Sequence, residues 1–297
     1  MVAYLPLTLL LYRTVISTWQ VTDTIMKDTA AIVMVIIVVF LAASGCVSAP
    51  ADQPRTAITP VPQEGKPQYV IGVDSDYPPF TYRDAAGNLT GFDIDAARWI
   101  AEREGFDVEF VAVPWDRIMP ALKDGTIDMV YSGMTVTPER EKDARFTTSY
   151  YTVNLSVAIR QGSGVALQDL YAGRFRIGTQ DGSTGAAWVE EKLVKSGKMP
   201  AANHIRFPDL SALVENLANK TIDASVYDAP PQEWAITGKS LTIIGEIPTQ
   251  ERYAVAIRKN DTHLLATMDD GLRQIMADPY WQHLLRKYDL ATGSGSS

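Results

Sequence analysis

The chain has 297 residues, 46% of them hydrophobic and 21% charged, so it can bury more core than a single domain usually holds. Its formal net charge of −8 at pH 7 argues against a nucleic-acid partner, because such proteins usually present a basic face. Its one cysteine excludes an internal disulfide framework, and its three histidines lack the spacing of metal ligands. We therefore expect a two-lobed protein without a cofactor, a structural metal or a nucleic-acid partner.

An apolar segment near the N-terminus predicts export. Residues 30–43 are apolar without a break, Lys27 precedes them, and small residues follow. This order of charged, apolar and small residues is typical of a secretory signal. The run is shorter than the roughly 20 residues that a spanning helix needs, which favours a removed signal; a permanent membrane helix is the alternative. We assign residues 1–45 to this hydrophobic region and expect translation to begin at Met26.

Cys46 directly follows the signal pattern. Residues 41–45, Leu-Ala-Ala-Ser-Gly, together with this cysteine resemble the lipobox of bacterial and archaeal lipoproteins, although Ala43 stands where that pattern usually has leucine. In such proteins the cysteine is lipidated and becomes the mature N-terminus. The resemblance implies an extracytoplasmic protein that a lipid anchor holds at the cell membrane.

Two further segments have compositions that cannot form a packed core. Residues 46–67 carry five prolines and few large apolar side chains, which predicts an extended tether between the anchor and the folded part. Residues 292–297 consist mainly of glycine and serine, which predicts a flexible tail.

The part between these segments contains the same pattern twice. Each copy holds a β-rich run with Ile-Gly and, later, an amphipathic helix pattern that leads into a buried strand. The helix and strand are residues 115–122 and 126–131 in the first copy, and 210–217 and 221–227 in the second. Strands that alternate with helices predict parallel sheets covered on both faces, so two copies predict two α/β lobes. Chance similarity of two small helix–strand units is the alternative.

Four segments directly follow predicted strands, two in each lobe. Ligands of open parallel sheets bind beyond the carboxyl ends of the strands. The segments that this rule selects are residues 74–77, 131–133, 180–184 and 227–228. The sequence therefore predicts a ligand in a cleft between the lobes.

Residues 135–140 have the pattern of a helix start. Thr137 suits the N-cap, Pro138 suits the first helical position, and Glu139 suits the first turn. In that first turn, Arg140 could hold a carboxylate with two parallel hydrogen bonds. A solvated surface arginine is the alternative that the local sequence leaves open.

The second lobe offers an anion contact and a carboxylate. Residues 181–185 precede a helical pattern, so backbone N–H groups and the hydroxyl of Ser183 or Thr184 can meet an anion. Asp228 follows an apolar strand and precedes two prolines, which predicts a carboxylate at a strand tip facing the cleft; capping of the next turn is the alternative. With Arg140 opposite, this carboxylate would complement the zwitterionic group of a free amino acid.

Two aromatic residues, Tyr77 and Trp115, are candidates for the walls of such a site. A ligand side chain could pack on these rings, or a cation could rest on them, although packing in the core is the alternative. We assign Phe80 and Phe92 to packing.

The candidate residues fall within a longer series of motifs that resembles a known family. The motifs are residues 74–80, 91–95, 115–122, 125–128, 132–140 and 146–151. In combination they resemble the extracellular solute-binding proteins of family 3, the polar amino-acid group with the type II periplasmic-binding fold. The resemblance runs from about Tyr69 to Leu290.

This resemblance implies a role for each candidate. Arg140 binds the ligand carboxylate and Asp228 binds the ammonium, in agreement with the roles inferred from the residues themselves. Gly133 contributes its backbone carbonyl, and Thr135 and Thr184 bind the carboxylate or the ammonium. The resemblance further implies that Tyr77 and Trp115 flank the ligand side chain. It also implies that Asp74 and Gln180 recognise the polarity of that side chain.

The resemblance also implies how the chain is divided. It crosses between the lobes near residues 150–154 and 247–251, so that lobe 1 comprises residues 68–152 and 250–291, and lobe 2 comprises residues 153–249. Two crossings form a hinge. Closure about this hinge would bury the ligand, and the transport subunits would recognise the closed form.

The expected function is therefore the substrate-binding subunit of an ABC importer. As a monomer it would bind a free polar or basic L-amino acid and deliver it to the membrane permease. A module that senses amino acids for a receptor is one alternative. An enzyme resembling cyclohexadienyl dehydratase is another, but no histidine falls at a predicted cleft position to act as acid or base, so we expect no catalysis.

Overall fold

Alternating strands and helices build two five-stranded sheets within residues 65–291, the part of the chain that the computed structural model describes. The expectations for the signal region, the start at Met26, Cys46 and the tail lie outside the described residues. Those for the tether do too, apart from residues 65–67. In residues 65–291 every helix is too short or too polar to span a membrane.

The strands, in chain order, are β1 (Gln68–Val73), β2 (Asp76–Tyr77), β3 (Thr81–Arg83), β4 (Leu89–Thr90), β5 (Asp107–Ala112), β6 (Met129–Val130), β7 (Ala144–Phe146), β8 (Tyr151–Arg160), β9 (Ile177–Gln180), β10 (His204–Phe207), β11 (Ala224–Asp228), β12 (Leu241–Tyr253) and β13 (Ala256–Arg258). The α-helices are α1 (Phe92–Glu104), α2 (Trp115–Asp124), α3 (Leu167–Tyr171), α4 (Thr184–Val189), α5 (Leu210–Ala218), α6 (Ala229–Ile236), α7 (Thr262–Ala277) and α8 (Pro279–Lys287). Single 3-10 turns occur at Arg140–Lys142 and Ala201–Asn203, and a π-helical turn, Glu190–Val194, continues α4.

The two large sheets are the centres of the two lobes. The sheet of lobe 1 has the order β5-β1-β6-β13-β7, and that of lobe 2 has the order β10-β9-β11-β8-β12. In each, the first three strands are parallel and the last two introduce antiparallel pairing. The sheets are therefore mixed, and the predicted parallel pairing holds only for the first three strands of each, because the strands that enter or leave at the crossings run against their neighbours.

Two long strands connect the lobes. Strands β8 and β12 pair antiparallel along most of their length, with Tyr151 opposite Tyr253 at one end and Arg160 opposite Leu241 at the other. The pairing is interrupted between Ile247 and Glu251, at the second predicted crossing. Both crossings therefore lie on one two-stranded ribbon, while the exact lobe boundaries, residues 152/153 and 249/250, remain a prediction.

Each sheet is covered on both faces, as the sequence predicts for α/β lobes. Along β1, Ile71 and Val73 pack into the cluster that contains α1 and α7, whereas Val70 packs against the cluster of α2. Alternate residues of a strand point to opposite faces, so both faces of this sheet are apolar. The close packing fixes the strand ends, and with them the segments that meet between the lobes.

A buried carboxyl group at the start of α1 supports the loop after β6. Asp93 is fully buried, and its Oδ2 accepts hydrogen bonds from the backbone N–H of Gly133 at 2.7 Å and from the hydroxyl of Tyr150 at 2.9 Å. Loss of hydration raises the pKa of Asp93 to about 8, although both hydrogen bonds act in the opposite direction.

This pKa predicts a pH-dependent stability that Asp93→Asn removes. The folded protein keeps the proton up to about pH 8, whereas the unfolded chain, with a pKa near 3.8, has released it. Unfolding thus releases a proton in this window, so the free energy of unfolding falls as the pH rises. Between about pH 5 and about pH 8, the free energy of unfolding of the wild type should fall by on the order of 3 kcal/mol more than that of the variant. Urea titrations at both pH values measure this difference, with the exposed Asp107→Asn as control; equal pH dependence in all three proteins would contradict the prediction.

Candidate ligand-binding site

A small cavity lies between the lobes, beside the carboxyl ends of β1, β6, β9 and β11. All the predicted ligand-binding residues except Asp74 line it, and Ser183 and Tyr227 complete its walls. The lining residues are Tyr77, Trp115, Gly133, Thr135, Arg140, Gln180, Ser183, Thr184, Tyr227 and Asp228. Residues that the strand-end rule selected in both halves of the chain therefore lie together around one cavity.

Arg140 contacts both lobes. Its Nη1 donates to the carbonyl of Thr135 at 2.9 Å, and its Nη2 donates to the carbonyl of Gly182 in lobe 2 at 3.2 Å. Its guanidinium carbon lies 5.2 Å from the ring centroid of Trp115, whose Nε1 also donates to Gly182. Burial lowers the pKa of Arg140, but an arginine side chain remains cationic in proteins. The site therefore contains a positive charge that is fixed by packing and by hydrogen bonds.

The predicted helix start at Thr137 is only partly correct. The hydroxyl of Thr137 accepts the backbone N–H of Arg140 at 3.2 Å, which is a capping contact, but the turn that follows is a single 3-10 turn. The chain has no room for an α-helix here, because β7 begins at Ala144. The turn suffices to aim Arg140 into the cavity. In lobe 2, by contrast, Ser183 caps α4 by accepting the N–H of Ala186 at 3.0 Å.

Asp228 supplies a half-buried carboxylate on the lobe 2 side. Although it occupies the N-cap position of α6, its side chain makes no capping hydrogen bond. Its Oδ2 accepts instead from the hydroxyls of Tyr77 and Tyr253, the latter at 2.7 Å. Burial first, and then the nearby carboxylate of Glu251, raise the pKa of Asp228 to about 7, against the lowering effect of these hydrogen bonds and of Arg140.

Glu251 and Tyr253 belong to the site but were missed in the sequence. Oε2 of Glu251 accepts from the hydroxyl of Thr135 at 2.9 Å and from that of Thr184 at 2.6 Å. Both missed residues lie on β12, in or directly after the predicted crossing. A search for polar side chains at the crossings, and not only at strand ends, would have found them.

Gly133 permits the close approach of an aromatic wall. Its φ is +54°, and a Cβ atom there would lie 2.4 Å from Cε1 of Tyr77. The ring of Tyr77 is nearly parallel to that of Trp115, with an angle of 9° and centroids 6.5 Å apart. The two predicted wall residues therefore stand side by side, and Gly133 leaves the space that Tyr77 needs.

Asp74 and Gln180 form a polar contact across the lobes at the edge of the cavity. The amide nitrogen of Gln180 donates to Asp74 and to the carbonyl of Pro208, both at 3.1 Å, and its oxygen accepts from the hydroxyl of Tyr227 at 2.7 Å. Burial is the main cause that raises the pKa of Asp74 to about 6. Asp74 lies behind Gln180 and is not part of the cavity lining.

A wider hollow lies on the surface beside Tyr82 and Trp234, whose rings are 5.6 Å apart. It is open to solvent and its charged residues are scattered. The cavity between the lobes is the stronger candidate because it holds half-buried groups of opposite charge together with aromatic walls. In residues 65–291 no three histidine, cysteine, aspartate or glutamate side chains form a group that could hold a metal ion.

Comparison with known proteins identifies the family. Residues 69–291 match the bacterial extracellular solute-binding proteins, family 3. The chain belongs to this family. It is thus an extracytoplasmic solute-binding protein with the two-lobed type II periplasmic-binding fold, as the sequence motifs implied.

Individual relatives support this membership. The chain is 28% identical over 253 residues to a probable histidine-binding protein of Neisseria gonorrhoeae, across 84% of this chain and 91% of the relative. An ancestral arginine-binding protein bound to arginine has a TM-score of 0.70 and 29% identity, across 75% of this chain and 99% of that one. AncCDT-1, an ancestral amino acid-binding protein and precursor of cyclohexadienyl dehydratase, has a TM-score of 0.67 and 31% identity, across 74% and 95%.

The space beside Gly133 yields a second prediction. Alanine at this position must adopt a positive φ and also displace the ring of Tyr77. Alanine at Gly87, where φ is +85° and the surrounding space is open, must only adopt the positive φ. Gly87→Ala should lower the free energy of unfolding by about 1 kcal/mol. Gly133→Ala should lower the free energy of unfolding by about 1–3 kcal/mol more than Gly87→Ala does, because the added methyl group overpacks against Tyr77. Urea titrations of both variants decide this, and equal losses would show that Tyr77 does not need the space.

Proposed function

We propose that this protein is the substrate-binding subunit of an ABC importer for a free polar or basic L-amino acid. The observation that carries the proposal is the presence of Arg140 and Asp228, with opposite charges, in one small cavity between two lobes. A free amino acid carries a carboxylate and an ammonium on one carbon atom. Arg140 would bind the carboxylate in a bidentate manner and Asp228 would bind the ammonium.

The other lining residues support an amino-acid ligand. Tyr77 and Trp115 would flank its side chain, the Gly133 carbonyl and the hydroxyls of Thr135 and Thr184 would add polar contacts, and Gln180 backed by Asp74 would meet the polar end. The names of the relatives, a histidine-binding and an arginine-binding protein, agree with a basic or polar side chain.

Closure of the lobes would link binding to transport. Contacts between the lobes at the cavity, such as those from Arg140 and Trp115 to Gly182, would hold the closed form around the ligand. The permease would then recognise this form. We also propose that the protein acts as a monomer and that a lipid on Cys46 holds it at the outer face of the membrane.

A ligand screen tests the proposed function. Protein that has been unfolded and refolded to remove any bound solute is heated with each common L-amino acid, because a ligand of the native state raises the thermal midpoint. We expect an increase with one or a few polar or basic amino acids. Arg140→Lys and Asp228→Asn should each weaken binding of that ligand at least about 100-fold, because lysine keeps the charge but cannot form the bidentate hydrogen bonds, and asparagine leaves the ligand ammonium without a counter-charge.

Exposed neighbours provide matched controls. Arg117 and Asp116 lie on the surface of α2, so Arg117→Lys and Asp116→Asn make the same chemical changes outside the cavity and should preserve affinity. Unchanged affinity in the two cavity variants would refute the assigned site. No response to any amino acid would refute the proposed ligand class, and prephenate-like compounds would then test the dehydratase alternative.

The pKa of Asp228 predicts that binding weakens in acid. The ligand ammonium is attracted by the ionised form of the Asp228 carboxylate. Because the pKa of Asp228 is about 7, protonation removes this negative charge as the pH falls. For a ligand without a titrating side chain, affinity should fall about 30-fold between about pH 8 and about pH 5.5. Calorimetric titrations at both pH values measure this change. Equal affinities would contradict the role of Asp228 as the ammonium partner.

A further inference from the structure

A second set of contacts joins the lobes away from the ligand cavity. Asp76 of lobe 1 accepts two hydrogen bonds from Ser211 of lobe 2: its Oδ2 accepts from the backbone N–H at 2.7 Å, and its Oδ1 accepts from the hydroxyl at 3.0 Å. Both residues line the surface hollow beside Tyr82 and Trp234, and not the cavity. This hollow therefore lies over a seam, the line along which the two lobes touch.

The N-terminus of α5 favours this contact. Ser211 is the second residue of α5, so its N–H group has no acceptor within the helix. Asp209, the N-cap of the same helix, accepts the next N–H group, that of Ala212, at 2.7 Å. One helix end is thus held by an aspartate of its own lobe and by Asp76 of the opposite lobe, and the helix dipole favours a carboxylate at this end.

An aromatic pair lies across the same seam. The ring centroid of Tyr82, on β3 of lobe 1, is 5.6 Å from that of Trp234, on α6 of lobe 2, and the rings meet at an angle of 46°. Trp234 is 45% exposed, so the pair lies at the surface. Both this pair and the contact between Asp76 and Ser211 break when the lobes move apart about the ribbon of β8 and β12. They therefore stabilise only the closed arrangement.

We propose that Asp76 with Ser211 and Tyr82 with Trp234 form a latch that stabilises the closed arrangement and thereby raises the affinity for every ligand by the same factor. The inference rests on the proposed function, in which closure of the lobes binds the ligand. The free energy that the latch gains on closure adds to that of the ligand contacts. Asp76 is therefore a positioning residue that acts through the lobes and not through the ligand.

Calorimetric titrations with the two best-binding amino acids test the latch. Asp76→Ala should weaken the binding of both about fivefold or more, because it removes two hydrogen bonds to a carboxylate that form on closure. Trp234→Ala should weaken both about threefold, because it removes the aromatic pair. The ratio of the two affinities should stay within about twofold of the wild-type ratio, since the latch does not contact the ligand.

Asp261→Ala is the matched control. Asp261 accepts from the N–H group of Leu264 at 3.0 Å at the start of α7, within lobe 1. The variant removes the same kind of helix contact without affecting the seam. It should lower the free energy of unfolding but leave both affinities within about twofold of the wild-type values. A loss of affinity as large as that of Asp76→Ala would mean that the loss of any such helix contact disturbs binding, and would overturn the latch.

Hydrogen exchange at two neighbouring amides gives a readout that is independent of affinity. In the ligand-bound protein, NMR should show that the N–H of Ser211 exchanges about fivefold or more slowly in the wild type than in Asp76→Ala, because Asp76 protects it. The N–H of Ala212, which Asp209 holds within lobe 2, should exchange at similar rates in both proteins. General loosening of α5 would instead speed up exchange at both amides and would overturn the latch.

Three further results would overturn the latch alone. They are an unchanged affinity in Asp76→Ala, a change in the ratio of the two affinities, and equal exchange of the Ser211 N–H in the two proteins. Failure of the wild type to bind any amino acid would instead overturn the proposed function. Slower exchange at Ser211 in the ligand-free wild type than in Asp76→Ala would then still support the contact across the seam, and equal exchange would overturn it as well.

Discussion

Arg140 and Asp228 bring opposite charges into a cavity where water cannot fully hydrate them, and much of the surrounding structure compensates for that loss. Carbonyl groups of Thr135 and Gly182 accept from the guanidinium group, and the hydroxyl of Tyr253 donates to the carboxylate. Burial alone disfavours both charged forms, as the directions of their pKa shifts indicate. A zwitterion placed between these groups would supply each with a counter-charge, which connects the electrostatics of the cavity directly to the proposed ligand.

The hinge ribbon is part of the candidate site and not only a connection between the lobes. Strands β8 and β12 pair across both crossings, and β12 also carries Glu251 and Tyr253, whose side chains contact groups from both lobes. A movement of the lobes about this ribbon must change these contacts. Under the proposed function, ligand binding and closure would therefore be coupled through the same few side chains.

The sequence predicted the residues at the strand ends better than those at the crossings. Asp228 and Gln180 follow local strand patterns, so their positions could be derived from the chain around them. Glu251 could not be found this way, because its side chain meets the site through two threonines that are far away in sequence. The mixed pairing of both sheets and the short turn at Arg140 had the same cause: tertiary connections, and not local propensity, set the strand direction and the room for a helix.

A crystal structure with the best-binding amino acid would show directly whether Arg140 and Asp228 hold the two charged groups of the ligand. We expect the ligand to lie between the lobes, with its carboxylate within about 3 Å of the Arg140 guanidinium nitrogens and its ammonium at the same distance from Asp228. A ligand bound outside the cavity, or bound with its carboxylate and ammonium exchanged, would contradict the account.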